Sequence, residues 1–180
     1  MCIRDSIYIT TTFGANLVVA NRATGQVLDE WLDPIQTPTD LLIAENRIIV
    51  SSANFNGDVY GPGKVTAYDR DGAVIWSVTS EEKNPQFLAW RDDVLWVVNS
   101  GEFKSQDGTF VAGTPSSIEL FDIDGIRLAH YPLPENDADP FAGSLGRPMF
   151  VDDDVYFSSG TGPYLFKFNR TSERLSLIHI

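Results

Sequence analysis

Side chains that carry oxygen are concentrated in three stretches of this sequence, where they could bind a cation or a polar ligand. Carboxylates and carboxamides are the groups that Ca²⁺ prefers as ligands. Our candidate ligand-binding residues are Asn54, Asn56 and Asp58 in the first stretch, Asn99, Glu102 and Asp107 in the second, and Asp137 and Asp139, beside Glu135, in the third. The type of ligand is left open, and Ca²⁺ is the one cofactor that these oxygens suggest.

The spacing of these residues departs from the common calcium loop. In the stretch that begins at Asn54, Gly57 comes too early for a twelve-residue calcium loop, and Val65 would stand at its twelfth position. Asn and Gly are also frequent in turns for backbone reasons. A solvated turn is therefore the alternative to a metal site, and we assign no metal ligand.

None of the remaining titratable residues is predicted to be catalytic. Asp92-Asp93 and Asp152-Asp153-Asp154 lie in short polar segments between apolar runs, which predicts solvated turns. Asp69 and Asp122 recur in one column of a repeat, so we expect them to cap turns. His130 has no partner at a spacing typical of a catalytic device. Whether the chain is an enzyme is left open.

Composition excludes several functional classes. The formal net charge is −12, and such an acidic chain repels phosphate backbones, so nucleic acid is excluded as a partner. The single cysteine, Cys2, excludes an internal disulfide. No apolar run reaches the ~20 residues that span a bilayer.

Four segments of the chain align as an internal repeat. A short apolar run that ends in small polar residues recurs at 7–11, 48–52, 96–100 and 155–159. An alternating run that ends in Asp or Asn follows each time, ending at Asn21, Asp69, Asp122 and Asn169, with spacings of 48, 53 and 47 residues. Further short strands flank these runs, and Asp-Gly or Thr-Gly pairs predict tight turns between them.

The repeat predicts an all-β fold, namely a partial β-propeller of about three and a half four-stranded antiparallel blades, truncated at both ends. We name the strands of a blade a to d in chain order. The alternatives are a β-sandwich and an up-and-down sheet that forms no ring, although sandwiches seldom repeat in register. Tyr68, Phe121 and Phe168 share one column of the repeat. We expect this aromatic column to pack between neighbouring blades.

The two ends of the chain resemble translated sequencing-adapter DNA, because residues 1–6 and 175–180 can be back-translated to strings that are reverse complements. We therefore expect both segments to be adapter remnants on a metagenomic fragment, and residues 7–174 to be one partial propeller domain. Its predicted parts are blade I strands b to d (7–39), blade II (40–84), blade III (85–146) and blade IV strands a to c (147–174). Strand d of blade IV is expected to be absent, and incomplete ring closure is expected to cause dimerisation or aggregation.

Loop lengths predict where function lies. The a–b and c–d connections are short, whereas the b–c loops 54–63 and 102–116 and the d–a connector 131–148 are long. In a four-stranded meander the b–c and d–a connections emerge at the same end, and long loops on a rigid scaffold commonly carry function. We predict a non-catalytic scaffold that binds a protein, small-molecule or carbohydrate ligand with this loop-bearing face.

The strand motifs resemble those of YVTN-type surface-layer and NHL-like propellers. The resemblance rests on Leu95-Trp96-Val97-Val98-Asn99-Ser100-Gly101 and on Asn21-Arg22-Ala23-Thr24-Gly25. It covers most of residues 7–174 and implies a periplasmic or cell-surface location, which the residues themselves leave unknown. A weaker resemblance to quinoprotein-like repeats rests on Ala67-Tyr68-Asp69, Gly72 and Trp76. The alternative function that these families imply is a propeller enzyme of lactonase or quinoprotein-dehydrogenase type, with its site completed by missing blades.

Overall fold

Alternating apolar residues and tight polar turns divide the chain into consecutive antiparallel strands in a computed structural model. The structure describes residues 5–32, 35–57, 59–106, 109–133, 145–159 and 164–179. Every regular element in these ranges is a β-strand, which confirms the all-β prediction. Within the same ranges, no helix has the length and apolar character needed to cross a membrane.

The first two sheets lie in the N-terminal half of the chain, and in both the strands are ordered as in the sequence. Sheet I contains three strands, β1 (Ser6–Thr11), β2 (Asn16–Asn21) and β3 (Val27–Trp31). Sheet II contains four, β4 (Pro38–Ala44), β5 (Arg47–Ser52), β6 (Lys64–Tyr68) and β7 (Val74–Thr79).

The next two sheets repeat the four-stranded antiparallel arrangement, as expected for successive propeller blades. Sheet III contains β8 (Pro85–Arg91), β9 (Val94–Asn99), β12 (Ser117–Phe121) and β13 (Arg127–Pro132). Sheet IV contains β14 (Met149–Val151), β15 (Asp154–Ser158), β16 (Tyr164–Asn169) and β17 (Arg174–His179). A separate hairpin, β10 (Phe103–Gln106) with β11 (Thr109–Ala112), lies between β9 and β12 in the chain.

The hairpin differs from the sequence prediction, which treated residues 102–116 as one loop. Its two strands pair antiparallel, with Gln106 opposite Thr109. In the sequence, an Asp-Gly pair separates the two short runs, and this is a strong hairpin signal. The longest b–c loop therefore carries secondary structure of its own.

The prediction that sheet IV ends after its third strand is wrong, because β17 forms a fourth strand. It pairs along its whole length with β16, from Arg174 opposite Asn169 to His179 opposite Tyr164. Leu175 and Leu177 pack against the buried cluster between sheets III and IV. Alternating apolar residues after a turn are sufficient to extend a sheet edge whose backbone groups are unpaired. The proposal that residues 175–180 come from adapter DNA is independent of this outcome.

Three buried clusters lie between successive sheets and hold them face to face. In strand β5, Ile48 and Val50 pack in the cluster between sheets I and II, while Ile49 packs in the cluster between sheets II and III. Successive side chains of a strand point to opposite faces. Because both faces of β5 are covered, its sequence is a continuous apolar run rather than an alternating one.

The aromatic column packs between sheets, as the sequence predicts. Tyr68 lies in the cluster shared with sheet I, Phe121 in the one shared with sheet II, and Phe168 in the one shared with sheet III. Each ring is at most 1% exposed and points to the preceding sheet. Sheets II, III and IV therefore each attach to the preceding sheet through the same position.

The c–d turns are capped by the Asp and Asn side chains that recur in one column of the repeat, which confirms the turn-capping role predicted for Asp69 and Asp122. The Asp122 Oδ1 accepts hydrogen bonds from the backbone N–H groups of Asp124 and Ile126, at 2.9 and 2.8 Å. Asp69 makes the same contacts in sheet II. In the sequon Asn169-Arg170-Thr171, the Asn169 Oδ1 accepts from the Ser172 N–H at 2.9 Å, so the amide side chain belongs to the turn.

Two tryptophans pack over glycines in the turn of the following sheet. A Cβ on Gly72 would lie 2.6 Å from the Trp31 ring, and a Cβ on Gly125 would lie 2.7 Å from the Trp76 ring. Both glycines have positive φ, 88° and 81°. The Trp76 indole N–H also donates to the backbone oxygen of Ile123 at 2.8 Å. Only glycine provides both the backbone conformation and the room for the indole.

The outer face of sheet I exposes apolar side chains, and we expect the chain to self-associate through it. Ile7 and Ile9 are 41% and 47% exposed, whereas Tyr8 between them packs inward. Replacing Ile9 by Lys should weaken association several-fold, because it places a charge in the patch. Ile75→Lys is the matched control, since Ile75 is 46% exposed on a different sheet. Sedimentation velocity over a concentration series measures both, and a wild-type chain that remains monomeric would contradict this expectation.

Candidate functional site

The connection between sheets II and III holds two long loops together at one end of the strands. The Ser80 N–H donates to the Gly63 oxygen at 2.9 Å, which ties the connection to the b–c loop of sheet II. The Ser100 N–H donates to the Asn84 oxygen at 3.0 Å, and the Gly101 N–H to the Lys83 oxygen at 3.2 Å. We call this region, residues 54–63, 80–84 and 99–102, the loop end.

Asn54 and Asn56 shape the first loop rather than presenting their side chains together. Asn54 has φ of 51°, its backbone oxygen accepts from the Gly61 N–H at 2.9 Å, and its side-chain amide donates to the Pro62 oxygen. The Asn56 Oδ1 accepts from the Val59 N–H at 3.0 Å. These bonds are those of a turn-forming Asn, the alternative that the sequence left open.

Asn99, the candidate at the end of strand β9, is fully buried and its amide is fully used. Its Nδ2 donates to the Ser117 Oγ at 2.9 Å and to the Glu119 Oε1 at 2.7 Å. Its Oδ1 accepts from the Ser80 Oγ at 2.8 Å. An amide with these three partners fixes the end of the strand to the neighbouring connection.

Glu119 is the centre of this buried polar cluster and was not identified from the sequence. The side chain is 0% exposed. Its Oε1 also accepts from the Glu81 N–H at 3.0 Å and shares the single Ser80 hydroxyl proton with the Asn99 Oδ1, and its Oε2 accepts from the Arg127 Nε at 2.8 Å. The sequence signal was a Glu at an inward position of a strand, two residues before the core ring of Phe121.

Arg127 connects the buried carboxylate to the surface. Besides Glu119, it donates to the Glu81 Oε1 at 2.5 Å and to the Thr79 oxygen at 2.8 Å. Its side chain is 31% exposed, whereas that of Glu81 is 53% exposed. The buried Glu119 carboxylate therefore accepts hydrogen bonds from neutral donors and from the charged Arg127 guanidinium. A buried carboxylate needs such partners to offset the loss of water.

Glu102 marks the place where the loops of sheets II and III meet. It is 5% exposed, and its Oε2 lies 3.2 Å from the Lys83 Nζ. Burial, followed by the nearby charge of Glu102, raises the pKa of Tyr60. A tyrosine from one loop, an acid from another and a lysine from the connection are thus neighbours at the loop end.

Four of the eight candidate residues lie outside the described residues: Asp58, Asp107, Asp137 and Asp139. The other four, Asn54, Asn56, Asn99 and Glu102, belong to the loop end but make separate contacts. In the part of the chain that the structure describes, no three His, Cys, Asp or Glu side chains group as they would to hold a metal ion.

Glu82 is a titratable group of the loop end whose pKa is shifted from its ordinary value. Burial raises its pKa above the ordinary value of 4.5, repulsion from Glu119 and Glu81 adds to the rise, and the charge of His130 opposes it. The folded state therefore holds the proton more tightly than the unfolded state does. Stability is greatest below about pH 4.5 for this group and falls as the pH rises through its folded pKa.

We expect Glu82→Gln to be more stable than the wild type at pH 7 and equally stable at pH 4, since the neutral amide carries no ionisation penalty. The gain at pH 7 should stay below about 1 kcal/mol, because Glu82 is only partly buried. Urea denaturation at both pH values measures it. Glu45→Gln, with the same charge change at an exposed turn, controls for net charge. A gain at pH 4 as large as that at pH 7 would contradict the assigned cause.

The fold is shared with several solved structures. No family model and no curated protein matches the chain. Hydrazine synthase from Kuenenia stuttgartiensis superposes with a TM-score of 0.69 at 10% identity, covering 98% of this chain and 51% of that one. U3-55K gives a TM-score of 0.68 at 7% identity, covering 97% and 48%. The computationally designed Ika4 protein gives 0.56 at 15% identity, covering 98% and 86%.

These similarities establish the fold alone. Hydrazine synthase and U3-55K both contain propellers, and the four consecutive antiparallel sheets of this chain fit a propeller-like β fold. The chain spans about half of the length of these two proteins.

Proposed function

We propose that this chain is a non-catalytic binding scaffold that contacts its ligand through the loop end of sheets II and III. The observation that carries the proposal is that the connection between sheets II and III is tied to both loops, by the Ser80–Gly63 hydrogen bond and by the Lys83–Glu102 ion pair, while the charge of Glu102 acts on Tyr60. Side chains from separate loops on one rigid base form a common kind of recognition surface. The YVTN-like or NHL-like type of propeller is part of the proposal and rests on the strand motifs.

A protein, a small molecule or a carbohydrate remains the proposed class of ligand. The chain has a net charge of −12, which favours neutral or basic ligands at the surface. Lys83 is paired with Glu102, whereas Glu81 and Glu82 add carboxylates to the same region, so the site offers hydrogen-bonding groups on a locally acidic surface. Neutral oligosaccharides and basic peptides are therefore the first ligands to test.

The enzyme alternative, of lactonase or quinoprotein-dehydrogenase type, has less support from the contacts. A lactonase of this fold would need several oxygen ligands directed at one point. The Asn99 amide could serve as one such ligand, but all three of its contacts are made within the buried cluster. Turnover of a lactone panel in the presence of Ca²⁺ would favour this alternative over the scaffold.

The proposal is tested by titrating the ¹⁵N-labelled chain with a panel of neutral oligosaccharides and basic peptides. Amide signals of residues 59–61, 80–84 and 99–102 should shift for a ligand that binds, and Glu102→Gln should weaken that ligand at least threefold. Glu45→Gln, in the short turn between β4 and β5, is the matched control and should bind as the wild type does. Shifts confined to the short-turn end, or equal binding by both variants, would contradict the proposal.

A further inference from the structure

The structure describes a strand a in sheets II, III and IV but not in sheet I. In the first three of these sheets strand a is β4, β8 or β14, and it pairs antiparallel with strand b of the same sheet. In sheet I strand b is β1, which pairs with β2 alone among the described residues. We call the side of β1 that is turned away from β2 the open edge.

Alternate residues of β1 direct their backbone N–H and C=O groups at the open edge. The Arg22 N–H donates to the Asp5 oxygen at 2.9 Å, and antiparallel strands exchange such hydrogen bonds at every second pair of residues. By this alternation, the backbone groups of Tyr8 and Thr10 are directed away from β2. An edge strand with unpaired backbone groups is a template for the pairing of a further strand.

The outer edges of the sheets carry less information about a partner. Strands β3, β7, β13 and β17 each lie at the end of a sheet, so an edge formed by strand d is common to all four sheets. The position beside strand b, in contrast, is filled in three of the four. Those three sheets therefore indicate what the open edge of β1 accepts.

Each described strand a contributes consecutive apolar residues to its sheet. The runs that pair with strand b are Leu41-Leu42-Ile43, Leu88-Ala89-Trp90 and Met149-Phe150-Val151. In β8, Leu88 packs in the cluster shared with sheet II, and Ala89 packs against the cluster shared with sheet IV. Both faces of the strand are thus covered, and a segment at the open edge needs a run of three apolar residues.

Strand register shows which residue of such a run must be small. Tyr8 lies opposite Val19, and Trp96 lies opposite Leu120. Both partners stand two residues before the Asn or Asp that ends the repeat, so Tyr8 in sheet I corresponds to Trp96 in sheet III. In sheet III, Ala89 of strand a lies opposite the Trp96 indole. The Tyr8 ring likewise requires a small residue opposite it.

We propose that the open edge of β1 binds an extended peptide as an added antiparallel strand, at the position of strand a. Tyr8 and Thr10 exchange backbone hydrogen bonds with the peptide, whose run of three apolar residues has a small residue opposite Tyr8. The net charge of −12 favours a peptide with basic residues. The site contains no residue of the loop end, so it is independent of the proposed scaffold function.

The probe is a synthetic peptide with the sequence of residues 84–91, blocked at both ends, in which Arg91 is the only charge. It is added to the ¹⁵N-labelled chain at a concentration at which the chain sediments as a monomer. The amide signals of Tyr8 and Thr10 should shift saturably, and intermolecular NOEs should join the peptide to β1. Absence of a saturable shift, NOEs to an outer edge or to sheet III, or pairing of β1 with the β1 of a second copy overturns the proposal.

N-methylation of the probe tests the backbone pairing without changing a side chain. In β8 the Leu88 N–H donates to the Asp40 Oδ2 at 2.8 Å, so it is directed away from β9 and the Ala89 N–H is directed at β9. The peptide methylated at the Ala89 nitrogen should therefore bind about tenfold more weakly, because it loses a backbone hydrogen bond to β1. The peptide methylated at the Leu88 nitrogen is the matched control and should bind as the unmodified one does. Equal binding of the two overturns the strand pairing.

Proline substitution in the chain tests the location. Thr10→Pro removes an N–H from the open edge and places a ring there, so it should weaken binding of the peptide about tenfold. Ser77→Pro is the matched control in the outer strand β7, where alternation from the Ser80–Gly63 hydrogen bond directs the Ser77 N–H outward. It should bind as the wild type does, and undiminished binding by a folded Thr10→Pro variant overturns the site. If Thr10→Pro does not fold, the NOEs in the wild-type chain decide the location.

Discussion

Replacing Glu119 by Ala should lower the free energy of unfolding by about 3–5 kcal/mol, because it removes the acceptor of a fully buried polar cluster. The change leaves the Glu81 N–H without its acceptor, takes one of two acceptors from the Asn99 amide, and removes the buried partner of Arg127. Urea denaturation of the variant and the wild type measures the loss. The effect is large relative to the roughly 5–15 kcal/mol that stabilises a typical domain.

Glu81→Ala is the matched control, because Glu81 pairs with the same Arg127 but its side chain is 53% exposed. An exposed ion pair contributes about 0–1 kcal/mol, so this variant should remain close to the wild type. Equal losses for the two carboxylates would show that burial does not determine the contribution of Glu119.

Gly125→Ala should lower the free energy of unfolding by about 3 kcal/mol, since it combines backbone strain with a steric clash. The residue has φ of 81°, and the added Cβ would lie 2.7 Å from the Trp76 ring. Gly25→Ala separates the two causes. Gly25 also has positive φ, at 70°, but nothing lies within 4 Å of its Cβ position. That variant should lose only the backbone contribution, about 1 kcal/mol.

A double-mutant cycle tests the clash directly. In a Trp76→Ala background, Gly125→Ala should cost only the backbone contribution of about 1 kcal/mol, which gives a coupling free energy of about 2 kcal/mol. Urea denaturation of the four proteins measures it. Additive losses would contradict the assigned contact between the indole and the turn.

Local patterns were sufficient to predict the framework of the fold. The alternating apolar and polar residues that end at Asp69 and Asp122 predicted strands, and the Asp-Gly pairs predicted the turns. Both signals act over only a few residues. The aromatic column could be placed between sheets for the same reason, since its position repeats in every strand c. Strand β17 was not predicted, because the resemblance of residues 175–180 to adapter DNA says nothing about their side chains, whose alternation is sufficient to form a strand.

The polar cluster depends on contacts that no local pattern carries. The Ser80 hydroxyl and the Arg127 guanidinium meet at Glu119 although they are 47 residues apart in the chain. An amide such as that of Asn99 can bind a ligand or a neighbouring side chain, and the pairing of strand β12 with β9 is what commits it to the buried cluster.

The two-sided packing of strands such as β5 makes the energetics of the chain quasi-one-dimensional. Each buried cluster joins one sheet to the next, so stability is approximately a sum of sheet terms and nearest-neighbour terms. Sheets I and IV each have one such neighbour in the described structure, and sheets II and III each have two. Amide hydrogen exchange should therefore be slowest in the middle of the array and increase outward, as cooperative units at the ends fray before those at the centre.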